Sequence, residues 1–104
     1  MIKVVYLYNL KSGVDREEFE TYYFKERIKQ VLQVPNLKRF NFSIAEEVSE
    51  EKPRFRYMAE CFFENLAVAQ ETLNSEYFKD VHGYIAPRLA DLTVLFFQTH
   101  EWIL

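Results

Sequence analysis

Two segments of alternating side chains flank a short polar stretch in the middle of the chain. Phe40, Phe42 and Ile44 alternate with Arg39, Asn41 and Ser43, and Phe55, Tyr57, Ala59, Cys61 and Phe63 repeat the same period of two. That period buries one set of side chains and turns the other away, so both segments are predicted strands. The stretch from Glu46 to Pro53 between them is acidic, polar and of hairpin length, so the strands are expected to pair as neighbours.

Outside the hairpin the period changes. Asp15 followed by Glu18 has the capping-box spacing, with Glu17, Glu18 and Glu20 near the start and Lys25, Arg27 and Lys29 toward the end. This charge order matches a helix dipole and predicts a helix from about Asp15 to Leu32, broken by Pro35-Asn36. Asn65 can cap a short helix through Leu73. Ser75 can cap a second, with Tyr77, Phe78, Val81, Ile85 and Leu89 at helical spacing and Pro87 limiting its extent. Ile2 to Asn9, ahead of Ser12-Gly13, and Leu92 to Ile103 read as the outer strands. The order is β-α-β-β-α-β, an α+β chain with a four-stranded antiparallel sheet and helices on one face. Its 104 residues, 49% of them hydrophobic, suit one domain spanning 1–104.

Several strands carry Phe, Tyr, Val or Leu on both faces, so the side of the sheet away from the helices needs a cover. A two-fold homodimer with sheet against sheet is the simplest one. The net charge of −3 supplies no footprint for nucleic acid. Arg54, Phe55, Arg56 and Tyr57 lack the glycine-aromatic signature of RNA-binding domains of this strand order. No apolar run approaches the roughly 20 residues of a membrane span and no charged leader opens the chain, so a cytoplasmic protein is expected. Cys61 has no cysteine partner for a disulfide or zinc site and reads as a small buried hydrophobe. The run Glu46, Glu47, Glu50, Glu51 reads as a solvated turn, and no metal is assigned. Nucleophile signatures, a phosphate loop and a dinucleotide fingerprint are missing from a chain with two glycines.

One helical stripe carries the best functional clue. Phe19, Tyr23, Arg27 and Val31 stand four residues apart, placing an arginine among core positions. A charge there must be paired, snorkelled or aimed into a cavity. One reading packs its stem on the core with the head reaching Glu26, Glu60 or solvent; the other makes it an anion-orienting donor in a pocket. Tyr6 and Tyr8 share one face of the first strand, and Tyr23 lies one turn from Arg27. His82, four after Phe78 and three before Ile85, is the neutral-pH proton-transfer candidate among the helices. His100 reads as an edge or dimer contact.

The opening strand Ile2 to Tyr8, the run Phe19, Tyr22, Tyr23, the segment Pro35 to Phe40 and the helix start Ser75 to Phe78 together resemble the EthD-like branch of the dimeric α+β barrel superfamily, over nearly the whole chain. The resemblance implies a ferredoxin-like fold, a homodimer and a ligand pocket between sheet and helices. The superfamily includes cofactor-free monooxygenases, isomerases, dehydratases and haem-degrading enzymes. Where EthD-like sequences commonly carry histidine on the first helix, with proline two residues later, this chain has Arg27 and Lys29. Arginine stays protonated, which suits a carboxylate, phenolate or enolate partner better than proton transfer.

The resemblance therefore implies a small-molecule-binding protein or cofactor-independent oxidoreductase, isomerase or lyase acting on an aromatic or enolisable anionic compound. Tyr6, Tyr8, Tyr23, Arg27 and His82 would line the pocket, Arg27 holding the oxyanion and His82 moving the proton. The alternative is a non-catalytic accessory or structural dimer. No cofactor is expected. A haem alternative rests on the likeness of Ser75, Phe78, Lys79 and His82 to the axial-histidine helix of haem-degrading members, although Thr72 stands near their tryptophan position and Asn9 only approximates their asparagine.

Overall fold

Strands β1 (Ile2–Leu10), β2 (Arg39–Ile44), β3 (Tyr57–Phe63) and β4 (Leu89–Gln98) form one antiparallel sheet in the computed structural model, which describes residues 1–81 and 83–104. Their order is β2-β3-β1-β4, so the apolar β1 and β3 are central while β2 and β4 have open edges. The predicted hairpin pairs Phe42 with Ala59 and Phe40 with Cys61. It closes through Ala45 N–H to the Arg56 carbonyl at 2.7 Å, which leaves Phe55 outside β3, where the alternation had placed it.

The first helical segment comprises α1 (Arg16–Tyr22), a π-helical turn (Tyr23–Arg27) and α2 (Ile28–Val31). The Asp15 carboxylate caps it by accepting from Glu18 N–H at 2.7 Å. It ends before Asn36, whose φ of 65° is the left-handed conformation that asparagine tolerates. The helices α3 (Leu66–Leu73) and α4 (Glu76–Val81) start at the predicted caps: Asn65 Oδ1 accepts from Val68 N–H at 2.9 Å and Ser75 Oγ from Phe78 N–H at 3.2 Å.

Boundaries toward the end of the chain also differ from the sequence reading. Helical spacing ran on to Ile85 and Leu89, but α4 ends at Val81, Ala86–Arg88 form a 3₁₀ turn and Leu89 opens β4. Pro87 lies in the first positions of that turn, where its missing N–H is harmless; within a longer α-helix it would break the ladder. β4 also stops at Gln98 rather than Ile103. Gln98 pairs with Ile2, and past that pair Thr99 N–H donates to the Met1 carbonyl at 2.9 Å.

Alternation along the central strands assigns the faces. Val4, Tyr6 and Tyr8 of β1 and Tyr57, Ala59, Cys61 and Phe63 of β3 point toward the helices, in two packed clusters. On the other face Lys3 pairs with Glu60 at 3.2 Å, while Leu95 and Phe97 remain 40% and 45% exposed. No helix among the described residues is long and apolar enough to cross a membrane.

Candidate functional site

The stripe on the first helical segment has a period that an α-helix does not have. At 3.6 residues per turn, a spacing of four gains about 40° at each step, or about 120° between Phe19 and Val31. The π turn removes most of that drift. Ile28 N–H bonds to the Tyr23 carbonyl, five residues back, and this wider turn absorbs one residue, or about 100°. Phe19, Tyr23, Arg27 and Val31 consequently face the sheet together, between 2% and 5% exposed. Arg27 is therefore not snorkelled: its head is buried with its stem. Glu60 is no partner for it, because alternation on β3 sends that carboxylate to the opposite face, beside Lys3.

Between this helix and the sheet lies a cavity of about 170 Å³. Tyr6 and Tyr8 from β1, Ala59 and Cys61 from β3, and Tyr23 and Arg27 from the helix all line it. The four sequence-predicted residues Tyr6, Tyr8, Tyr23 and Arg27 thus share one wall system. His82, the fifth, lies outside the described residues. Most of the remaining lining is apolar, including Phe40 and Phe78, with Ala86, Leu89 and Leu92 where β4 begins.

The polar groups form a short chain. The Tyr8 hydroxyl donates to the Tyr23 oxygen, and the Arg27 guanidinium donates to that same oxygen. Burial pushes the Tyr6, Tyr8 and Tyr23 hydroxyls far above the usual phenol value, with the positive charge of Arg27 acting in the opposite direction. Burial likewise raises the Cys61 thiol to about 12. At neutral pH the phenols are neutral hydrogen-bonding groups and the thiol is a weak nucleophile.

A second aromatic layer braces these hydroxyls. Tyr23 stacks on Phe42 with ring centres 3.8 Å apart, Phe42 on Tyr57 at 5.9 Å and Tyr57 on Tyr8 at 5.5 Å. Tyr57 donates to Glu20 Oε2 at 3.0 Å, and Arg16 Nε donates to that oxygen at 2.7 Å, tying β3 to α1. This brace and the π turn were missed in the sequence. The alternation put Tyr57 and Phe42 on a buried face without revealing that they stack, whereas the unbroken four-residue spacing was a legible sign of the π turn.

At the rim, the β1–β4 register shifts between Leu7 and Asn9, and Asp91 adopts φ 59°. Asn9 holds this bulge: its amide donates to the Arg54 carbonyl at 3.0 Å and to Asp91 Oδ2 at 3.1 Å, and its oxygen accepts from Arg56 N–H at 2.9 Å. Bulges re-aim side chains, and this one stands beside Leu89 and Leu92. Thr72 is buried, His100 is exposed beyond β4 near Trp102, and Glu46, Glu47, Glu50 and Glu51 are exposed.

Solved structures share this fold at low identity. An EthD-family protein from Bacillus halodurans superposes with a TM-score of 0.77 at 18% identity, covering 96% of this chain and 99% of that one. Hydroxynitrile lyase from Passiflora edulis gives 0.78 at 13%, covering 98% and 95%. HapK from Hahella chejuensis gives 0.77 at 12%, covering 100% and 97%. These similarities establish the EthD-like, ferredoxin-like fold. No curated protein sequence matches the chain significantly. The family model described as REDY-like protein HapK matches residues 2–100, from the first pair of β1 to just past β4; the chain therefore belongs to the HapK family of REDY-like proteins.

Proposed function

We propose that the protein binds a small aromatic or enolisable anionic compound in the cavity between sheet and first helix, and that it works in the cytoplasm as a homodimer joined through its open sheet face. The observation that carries the ligand reading is Arg27, 5% exposed, on the wall of a mostly apolar cavity and bonded to Tyr23. Apolar walls with a few convergent polar groups are the general design of small-molecule sites. A guanidinium in low dielectric favours an oxyanion, and the Tyr23 hydroxyl, whose own proton is not committed to Tyr8 or Arg27, extends the donor set. The cavity is close to the roughly 150 Å³ that accommodates benzene in an engineered core, so a single-ring compound fits and a tetrapyrrole is much too large. Exposed Leu95 and Phe97 on the open face support the dimer, and the solved neighbours include a dimeric ferredoxin-like protein from Thermobifida fusca, at TM-score 0.75 and 16% identity.

As a cofactor-independent enzyme, the protein would hold a developing enolate on Arg27 while His82, placed here by sequence alone, carried the proton. A non-catalytic binder is the second reading. It is favoured by the phenols and Cys61, all of which burial keeps protonated near neutral pH.

The test is the melting temperature across phenols, enolisable acids, polyketide-like aromatics and haem. A ligand at 100 times its Kd stabilises by about 2.7 kcal/mol. We expect one single-ring anionic class to raise Tm, with the response lost in Arg27→Met and weakened in Tyr23→Phe. No response to any class would sink the reading, and haem alone would reverse it. Turnover of the binding compound that disappears in His82→Ala, with binding kept, would select the enzyme.

A further inference from the structure

The two ends of the cavity differ in their access to solvent. Toward β2, Val31 of α2 and Val34 just beyond it are 5% and 7% exposed, beside half-buried Phe40. Toward β4, Leu92 is 50% exposed and Ala86 is exposed with it. These two are the exposed members of the described cavity lining. Thr93 pairs with Leu7 on the open face, so Leu92 points to the helix side. Two sheets stacked on their open faces therefore leave this end uncovered.

Both lips of the opening are braced by groups that the ligand reading does not use. One lip is the 3₁₀ turn Ala86–Arg88. The Arg88 guanidinium lies 3.7 Å from the centre of the Tyr84 ring, and that ring centre lies 3.9 Å from the ring of Tyr22 on α1. Arg88 Nη1 donates to the Tyr84 carbonyl at 2.6 Å, and Lys11 N–H donates to the Arg88 carbonyl at 2.9 Å. The turn is thus fastened to α1 and to the end of β1. The other lip is the start of β4, where Asn9 holds the Asp91 bulge next to Leu92. A cation–ring contact on one side and a clamped bulge on the other keep the lips at a set separation.

We infer that this opening is the ligand port, and that Ala86 and Leu92 set the width of what passes through it. Both side chains are apolar, which suits an aromatic ring on its way to Arg27. The inference rests on the ligand reading above for its purpose, but its test needs no ligand.

Cys61 is the single cysteine and lines the cavity. It pairs with Phe40, at the end away from Leu92, so a thiol reagent entering by the port must cross the cavity to reach it. Labelling of the full chain by methyl methanethiosulfonate, a small reagent, and by N-ethylmaleimide, a ring-sized one, should be followed by mass spectrometry at one alkaline pH, where part of the thiol ionises. Ala86→Leu should slow the maleimide several-fold more than the thiosulfonate. Leu92→Ala should speed the maleimide several-fold, and Tyr84→Ala, which frees the turn, should narrow the gap between the two reagents. Rates unchanged in both Ala86→Leu and Leu92→Ala overturn the port. Rates that instead follow the urea midpoints of the variants also overturn it, since the thiol then reacts only through unfolding. Either result beside a ligand-induced rise in Tm would leave the cavity as a binding site reached by another route. Size-selective labelling beside a silent Tm panel would support the port and count against the ligand reading alone.

Discussion

Under one face of one sheet, the two ends of the core are built on different plans. Val4, Phe63 and Ala69 form a closed cluster, with Cys61 at its boundary with the cavity, in which Ala69 is fully buried and lets α3 approach the strands. At the other end, Tyr8, Phe19, Tyr23, Tyr57 and Ile85 are as well buried, yet a cavity of about 170 Å³ remains beside them. Size explains the contrast: small and slender side chains let the elements close, while stacked rings tied by hydroxyl bonds keep them apart. Part of the core stabilises the fold, and part is held open at some loss of packing.

The largest expected effect is at the closed end. Phe63 is 0% exposed and is not among the residues lining the cavity. Phe63→Ala should cost about 3–5 kcal/mol, read from urea unfolding, and a cost under about 1 kcal/mol would mean that the closed end is loosely packed.

Adding volume gives the opposite test. Ala69→Leu overfills the contact between α3 and the sheet and should cost about 1–3 kcal/mol. Ala59→Val projects into the cavity from a strand, where a β-branched residue is favoured. It should be neutral or stabilise by up to about 1 kcal/mol and abolish the ligand-induced rise in Tm. Equal costs for the two substitutions would erase the distinction between the ends.

Alkali adds a chemical test of the buried groups that both ends contain. Burial raises Cys61 from 9 to about 12 and, with the bond to Glu20, raises Tyr57 from 10 to about 12. Each neutral group is favoured in the folded state. Its contribution is complete below the ordinary value and disappears as pH rises through the folded value. Stability should fall from about pH 9 onward, and Cys61→Ala should delay the fall to about pH 10, where the tyrosines take over. Urea midpoints measured from pH 8 to 12 that stay flat would contradict this assignment.

The positions of the strands along the chain and both faces of the hairpin were legible because period two has one structural meaning once strands pair. The caps Asp15, Asn65 and Ser75 were legible because each starts an apolar helical pattern. Tyr6, Tyr8, Tyr23 and Arg27 could be placed on facing elements, but the meeting of Tyr8 and Arg27 at the Tyr23 oxygen could not, since it depends on how close helix and sheet stand. Glu60 shows the converse: alternation relative to Ala59 and Cys61 already placed it across the sheet from Arg27. The end of β4 was illegible from its own residues, since Thr99, Trp102 and Ile103 all favour strands; pairing with β1 decides it, and the last pair is Gln98 with Ile2.

The four-residue spacing on the first helix contained more information than its reading as a core stripe. Phe19, Tyr23, Arg27 and Val31 can share a face only if one residue is absorbed, and the π turn at Tyr23–Arg27 absorbs it. Deleting Lys25, an exposed residue within that turn, should restore an α period, with Phe19, Tyr23, Arg27 and Val31 at relative positions 0, 4, 7 and 11. The stripe survives, so the change in stability should stay within about 1 kcal/mol. Deleting both Lys25 and Glu26 turns the stripe by about 100°, carries Arg27 and Val31 off the sheet and should cost several times more. If the single deletion is as damaging as the double one, the π turn is not what keeps Arg27 on the cavity wall. If only the double deletion is damaging, the turn is a one-residue insertion whose effect lies in the cavity end.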